Sequence, residues 1–589
     1  MPKQWRFASH DQAVIGRLAE EMSCSPLLAQ VLAARGVTTK NQADALYSTK
    51  MTDLHDPGLL PGISEAADRV VSAIQAKRRI TIYGDYDVDG VTATSILWHC
   101  LKLAGAQVDY YIPCRLEEGY GLNLDAIQTL YDEDPSRLVI TVDCGISSLE
   151  EAALAKRLGL ELIITDHHTF ADQLPEAATN VHPRLPGSEY PFPDLCGAGV
   201  AFKLAWAICQ KLGDGTKASP RMREYLKAAV GLAAMGTVAD VVPLVGENRI
   251  LVRYGLSTIV EKSMTGLAML LKVAGLDSQK ELSAEDIGFG LAPRINAAGR
   301  LGQARLAVEL LTTENRQRAA QLADYVDQLN KNRQTVERKM FREAKEMVED
   351  NPDWLETGGL VLASEDWHPG VIGIVASRIA EKFERPAVMI AMNSETQVGQ
   401  GSGRSFNGFD LHSGLSHCSE YLQAFGGHRA AAGLRIADDQ IEEFREVFGR
   451  YVSENQSSES EEPELAVDAE ISLHDLTNKA VKELDWLGPF GQMHRRPIFS
   501  SSRVELVEAP GTMGGGGRHL AVKVREGSKV IRAVAFGKGD WAEEMAEEIN
   551  GPFSICFSAN INRFRGYENV ELQLIDWKPS SSHVTSKAV

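Results

Sequence analysis

No run of eighteen or more apolar residues occurs in this chain, so nothing in it has the length of a membrane-crossing helix. Its opening residues, Met1-Pro-Lys-Gln-Trp-Arg, lack the apolar stretch of a secretory leader, and a cytoplasmic protein with no membrane partner is expected. Cysteine is sparse: eight in 589 residues, none in a Cys-x-x-Cys pair. That speaks against structural zinc and a disulfide scaffold and fits a reducing compartment. A Gly-x-x-x-x-Gly-Lys-Ser/Thr loop is also missing, so no nucleotide cofactor is expected. Basic residues are outnumbered, 61 against 80 acidic, for a net charge of −19. A total of that sign argues against a uniformly basic nucleic-acid binder, although a local basic face would escape it. Part of the acid is concentrated in one stretch, Ser453 to Glu464 (SENQSSESEEPE).

The chain is organised around Arg79 to Ala104. Ile80 to Tyr83 is a short β-rich apolar run; Asp85, Asp87 and Asp89 follow it, and Gly90 opens a helical pattern from Val91 to Leu103. Three carboxylates in five residues repel one another unless cations neutralise them, and hard divalent ions prefer oxygen ligands. An EF-hand loop is excluded because its twelfth position, counted from Asp85, is Ile96 where a glutamate is needed. The arrangement repeats. Leu138 to Val142 ends on Asp143, and Leu162 to Thr165 ends on Asp166, His167 and His168. Three strand-like runs delivering Asp or His at their carboxyl ends point to one edge of a doubly wound sheet collecting ligands. Asp240, in Gly236-Thr-Val-Ala-Asp-Val-Val-Pro243, is a fourth candidate.

In that order and spacing, GDYDVDG, TVDCGIS, TDHH and GTVADVVPL resemble the four metal-site motifs of the DHH phosphoesterase superfamily. Arg294 to Leu301 (RINAAGRL), Gly401 to Ser405 (GSGRS) and Phe425 to Gly433 (FGGHRAAAG) resemble motifs of its RecJ branch. The likeness spans roughly residues 20 to 578. It implies a single-strand-specific, 5′-to-3′ DNA exonuclease of repair and recombination, releasing mononucleotides and working beside a helicase and a single-strand-binding protein. Two divalent ions would be held by Asp85, Asp87, Asp89, Asp143, His167 and Asp240, with Asp143 bridging. Histidine among carboxylates softens the set and favours Mn²⁺ over Mg²⁺. By the same analogy Asp166 orients a neighbouring ligand, while His168 contacts the scissile phosphate or assists proton transfer. Arg294, Asn296 and Arg300 are expected on the substrate strand; for Asn296 a helix cap is the competing reading. A small-substrate phosphoesterase and a non-catalytic replication scaffold share this fold. The complete ligand set argues against the scaffold, and the extra C-terminal domain against the small substrate.

The expected architecture is multidomain α/β, acting as a monomer. Residues 1–54 form a helical preface packed on the catalytic domain, and residues 55–312 a DHH catalytic domain with a mainly parallel sheet. Residues 313–350, glycine-free and polar, suggest a long, largely solvated connecting helix. Residues 351–452 form a second α/β (DHH-associated) domain. In it Ser402, Arg404 and Ser405 offer hydroxyls and a guanidinium to a phosphate, and the glycines before His428 offer backbone N–H groups at the start of a helical run. Beyond the acidic linker 453–464, residues 465–578 hold short alternating strands that predict an OB-type barrel. There Arg563, Phe564, Arg565 and Tyr567 interleave cations with aromatics, the composition of a single-strand stacking platform. Residues 579–589 read as a disordered tail. Between the first two acidic strand ends, the loop Glu117 to Asn123 brings Tyr120 towards the pocket.

Overall fold

The computed structural model describes residues 3–170, 172–261, 264–455, 464–564 and 567–579. The chain divides into two compact units, Leu54–Ser460, and Met1–Asp53 together with Glu461–Val589. Most of the acidic linker and the tail from 580 lie outside the described residues. Among those described, no helix is long and apolar enough to cross a membrane.

The larger unit is built on a five-stranded sheet: β1 (Arg79–Tyr83), β2 (Gln107–Tyr111), β3 (Leu138–Val142), β4 (Glu161–Thr165) and β5 (Thr179–Val181). All neighbours are parallel, in the order β2-β1-β3-β4-β5. Both faces are covered, which is why β3 reads as the unbroken apolar run LVITV with every residue buried. Helix α1 (Val88–Leu103) packs on α2 (Gly197–Lys211) and α3 (Pro220–Ala239), and α4 (Gly246–Glu261) packs on α3. Strand order reverses between β1 and β3. At such a switch point the loops leaving adjacent strands diverge and open a crevice. The loops in question carry Asp85 to Asp89 and Asp143.

A π-helical turn, Asp286–Leu291, leads into α5 (Ala292–Arg300). Helix α6 (Arg316–Asp350) then runs 35 residues, about 50 Å at 1.5 Å per residue. It is less solvated than its composition suggests. Leu322, Val326 and Leu329 are buried in its first half, and Met340, Ala344 and Val348 enter the core of the next sheet, so the polar residues form only one stripe. That sheet orders 422–427, 431–437, 398–404, 387–393 and 360–364, with only the last pair parallel. One sequence expectation fails here. The run after His428 is the strand Ala431–Ala437, paired in a hairpin with Leu422–Gly427, and no helix begins there. Its buried residues, Ala432, Leu434 and Ile436, alternate with period two, which outweighs the helix propensity of three alanines. Gly401 to Arg404 likewise belong to a strand, Val398–Arg404. A Cβ on Gly401 would come within 2.6 Å of Leu434, so the glycines serve close sheet packing while Ser402 and Arg404 take the other face.

In the smaller unit five strands, Phe499–Leu506, Phe553–Phe564, Tyr567–Pro579, Lys529–Ala535 and His519–Glu526, pair in that order. The first and last also pair, at Glu505 with Arg525 and Leu506 with Val524, which closes a barrel. The N-terminal residues, expected as a preface packed on the catalytic domain, fall in the same compact unit as the barrel. Leu18, Leu28 and Leu32 share one core with Leu473, Phe499 and Phe557, and Gln4–Phe7, within the stretch expected to be helical, is a strand parallel to Glu464–Val467.

Candidate active site

All the acidic side chains but one follow the carboxyl end of a strand; Asp240 stands at the C-terminal end of α3. Asp87 caps α1, accepting from the N–H groups of Asp89 at 2.8 Å and Gly90 at 3.1 Å. Asp89 lies inside the first turn of α1, yet its carboxylate reaches the start of α2 and accepts from Gly197 N at 2.6 Å and Ala198 N at 2.9 Å. Asp143 leaves β3 in a left-handed conformation, φ 62°, sparsely populated for a residue with a side chain and held only where the surroundings over-determine it. The fit is tight: a Cβ on Gly197 would fall 2.4 Å from Asp143 Oδ1, and one on Gly236 would fall 2.4 Å from Asp89 Oδ1.

The six expected ligands converge. Ligand atoms of Asp85, Asp87 and Asp143 lie within 4.8 Å of one another, as do those of Asp89, His167 and Asp240. Asp143 Oδ1 is 3.1 Å from His167 Nε2, so the two groups adjoin at Asp143. Asp85, Asp89 and Asp143 are each at most 2% exposed. Burial, together with neighbouring carboxylates, pushes the carboxyls of Asp85 and Asp143 well above their ordinary range, and raises Asp240 to about 8. Burial also lowers His167 to about 4, leaving a neutral imidazole with a lone pair to give. Asp85 Oδ1, Asp143 Oδ1 and His167 Nε2 are buried without a hydrogen-bond partner. Buried polar atoms without partners are costly. Three of them aimed into one acidic pocket are what divalent cations with oxygen and imidazole ligands would satisfy.

Asp166 has a different task. It accepts from the backbone of Ile146, His167 and His168 and, at 2.7 Å, from Nδ1 of His168. Burial would raise its pKa, but these donors bring it down to about 2. Its ring partner is therefore His168, while it holds the expected ligand His167 only through that residue's backbone N–H. For His168, burial acts downward, and the Asp166 carboxylate overrides it and lifts the imidazole to about 9. The Tyr120 hydroxyl lies 3.2 Å from His168 Nδ1. Cys144, adjacent to Asp143, is fully buried in the core beside Tyr83, with burial pushing its thiol up, so it is neither a ligand nor a reactive thiol.

Opposite the carboxylates stands a cluster of arginines. Arg300, at the end of α5, feels Arg115, Arg333 and Arg404 around it, and burial with these like charges lowers it to about 10. Arg404, whose Nη1 donates to Ser402 Oγ at 2.9 Å, is pulled down by burial and Arg115. Arg115 lies over the Tyr86 ring at 5.0 Å. Asp87 is among the charges acting on Arg300, so acid and base meet there. Sequence reasoning found Arg300 and Arg404 but missed Arg115 and Arg333. Arg115 follows β2 on the ligand-collecting edge and was available to a topological argument. Arg333, in the middle of α6, left no signal.

The remaining expected contacts scatter. Arg294 is committed to Asp327 on α6 at 2.9 Å and to the Gly290 carbonyl. Asn296 Oδ1 accepts from Val88 N at 3.2 Å and so caps α1 from a neighbouring helix. Ser405 Oγ donates to Phe409 O at 2.6 Å, and His428 is exposed at its hairpin turn. In the barrel, Arg563 pairs with Glu568 at 3.2 Å and Tyr567 is 74% exposed. The side chain of Phe564 and all of Arg565 lie outside the described residues.

Residues 79–237 match the DHH family, N-terminal domain; residues 356–454 match the DHHA1 domain, and residues 467–576 the RecJ OB domain. The chain is 39% identical to the single-stranded-DNA-specific exonuclease RecJ of Bacillus subtilis, over 97% of this chain and 70% of that one. It is 35% identical to RecJ of Escherichia coli, over 93% and 95%. The crystal structure of Thermus thermophilus RecJ in complex with Mn²⁺ superposes with a TM-score of 0.80 at 30% identity, covering 98% of this chain and 80% of that one; the same protein is also solved with Mg²⁺. With its metal-ligand geometry, its three matched domains and this near full-length identity, the chain belongs to the RecJ family.

Proposed function

We propose that this chain is a metal-dependent exonuclease that digests single-stranded DNA from the 5′ end to mononucleotides, in repair and recombination. One observation carries the reading: two adjoining triads, Asp85/Asp87/Asp143 and Asp89/His167/Asp240, lie next to half-buried guanidiniums. Acid alone fits many metal sites. Acid facing a basic cluster fits a phosphodiester held at both its reacting and its flanking phosphates.

Each triad would hold one divalent ion, Mn²⁺ in preference to Mg²⁺, with Asp143 shared. When bound, such a pair supplies a nucleophilic water at neutral pH and offsets charge on the phosphate in an in-line displacement. The chain's own groups do the rest. His168, protonated at neutral pH and fixed by Asp166, donates a hydrogen bond to the phosphate and can return a proton to the departing oxygen. The Tyr120 hydroxyl, 3.2 Å from Nδ1 and 3.3 Å from Nε2, braces that imidazole. Arg115, Arg300, Arg333 and Arg404 bind the flanking phosphate, with the Ser402 hydroxyl beside Arg404, and so register the strand end. The barrel, 465–578, supplies sequence-independent affinity for the strand through Tyr567 and neighbouring basic residues. The enzyme is read as a cytoplasmic monomer, cooperating with a helicase and a single-strand-binding protein.

The test is digestion of one oligonucleotide labelled in turn at each end, with Mn²⁺, Mg²⁺ or chelator. Label release from the 5′ end first, abolished by chelator and absent with duplex, is expected. Faster hydrolysis of dinucleotides than of long strands would sink the assignment.

A further inference from the structure

The π-helical turn Asp286–Leu291 carries Phe289, which at 84% exposure is the barest large apolar side chain among the described residues. The turn is not loose. Ser283 ties its first residue, its backbone N and Oγ donating to Asp286 Oδ2 at 2.8 and 2.7 Å. Arg294 donates to the Gly290 carbonyl while Asp327 of α6 fixes its guanidinium, and Lys331 shares that carboxylate at 2.6 Å. A phenyl ring left in water forgoes the stabilisation of burial, and π-helical turns recur at functional positions. Here a buried ion pair holds the turn that displays the ring.

The turn lies against the end of α3 that delivers Asp240: a Cβ on Gly288 would sit 3.9 Å from Val238 Cγ1. The residue after Asp240 is equally unusual. Val241, β-branched, adopts φ 61° and is 63% exposed, a backbone state such residues almost never occupy. Thus two exposed apolar groups on constrained backbones stand near the end of α3 that carries Asp240. From Phe289 to Arg300 the chain is helical along α5, eleven residues or about 16 Å, so the ring and the arginine cluster lie a few nucleotides apart along a strand.

We propose that Phe289 stacks on a base of the strand being digested, a few nucleotides from the end held by the arginines, and that Arg294 acts as a positioning residue by holding the π-helical turn. The proposal rests on the exonuclease reading above and deepens it by assigning a base subsite. Stacking is indifferent to sequence because every base offers a π-face, as digestion of arbitrary strands requires.

The test compares the full-length wild type with Phe289→Ala and Phe289→Trp, using a labelled 20-mer of dT, the same length of abasic strand, and the p-nitrophenyl ester of dTMP. Binding is read by anisotropy without divalent ions, and turnover with Mn²⁺. Phe289→Ala should weaken dT 20-mer binding about tenfold and leave ester hydrolysis and melting temperature unchanged, while Phe289→Trp keeps wild-type affinity. On the abasic strand the wild type should bind as weakly as the alanine variant, and the substitution should cost nothing further. Unchanged dT binding by Phe289→Ala, or an equal loss on abasic DNA, overturns the subsite while leaving the exonuclease intact. Altered self-association with unchanged DNA binding overturns it likewise. A wild type that neither binds nor digests single strands overturns the exonuclease reading, and the subsite falls with it.

Discussion

The acidic and basic walls of the site are the same device with opposite sign. At the ends of β1, β3 and β4, carboxylates are buried so close together that burial and mutual repulsion push Asp85 and Asp143 well above their ordinary range. At the end of α5, half-buried guanidiniums crowd one another until Arg300 falls to about 10. Neither wall is comfortable alone, since buried like charges cost folding energy. The difference lies in how each is relieved. Small cations fit the acidic triads, whose unpartnered atoms converge to ligand distances. The arginines are spread over a loop, two helices and a strand, spanning what an extended polyanion would reach. Net charge therefore misleads: −19 overall is compatible with a basic face built from four residues.

Breaking the acidic wall should have the largest effect. Asp143→Ala, removing the carboxylate at which the two triads adjoin, is expected to lower Mn²⁺-dependent digestion by about a thousandfold or more while raising the metal-free melting temperature, because repulsion is relieved. Loss of activity together with loss of folding would contradict that account. Next comes the imidazole between the walls. His168→Ala should cost about 10²–10⁴ in kcat with Mn²⁺ affinity, measured calorimetrically, close to wild type. If His168 were itself an essential ligand, metal binding would fall with it. On the basic wall, Arg404→Ala should weaken single-strand binding about five- to hundredfold and reduce the salt slope by about one, uniformly across sequences; an undiminished slope would remove Arg404 from the phosphate path. The smallest effect sharpens the contrast. Asp240, raised to about 8, and His168, raised to about 9, each contribute stability at lower pH that is lost as pH climbs through those values. The metal-free protein should therefore lose melting temperature between about pH 4 and 9, Asp240 acting from about 4 to 8 and His168 from about 6.5 to 9, and saturating Mn²⁺ should flatten the decline.

The sheet and the acidic wall were readable because both are local. A buried parallel strand must be a continuous apolar run, and its last residue must face the crevice, so LVITV followed by Asp143 states its own position. The motifs of the second sheet were harder. Alanine and glycine after His428 satisfy helix and strand alike, and only the partner strand decides between them. Arg294 and Asn296 were found as polar residues of interest, yet their partners, Asp327 and Val88, are remote in sequence, and with them the bracing role. Nothing in residues 1–54 announces that their apolar faces meet the barrel, because an amphipathic helix does not specify what covers it.

The near-contact of Gly197 with the Asp143 carboxylate reaches beyond the site itself. Alanine is the mildest replacement glycine can undergo, and within a helix it normally stabilises. Here its methyl would occupy the volume of a ligand oxygen, and Gly236 stands in the same relation to Asp89. In a mutational scan these two small residues should therefore score with the aspartates they touch, as silent members of the ligand set whose contribution is the space they leave empty.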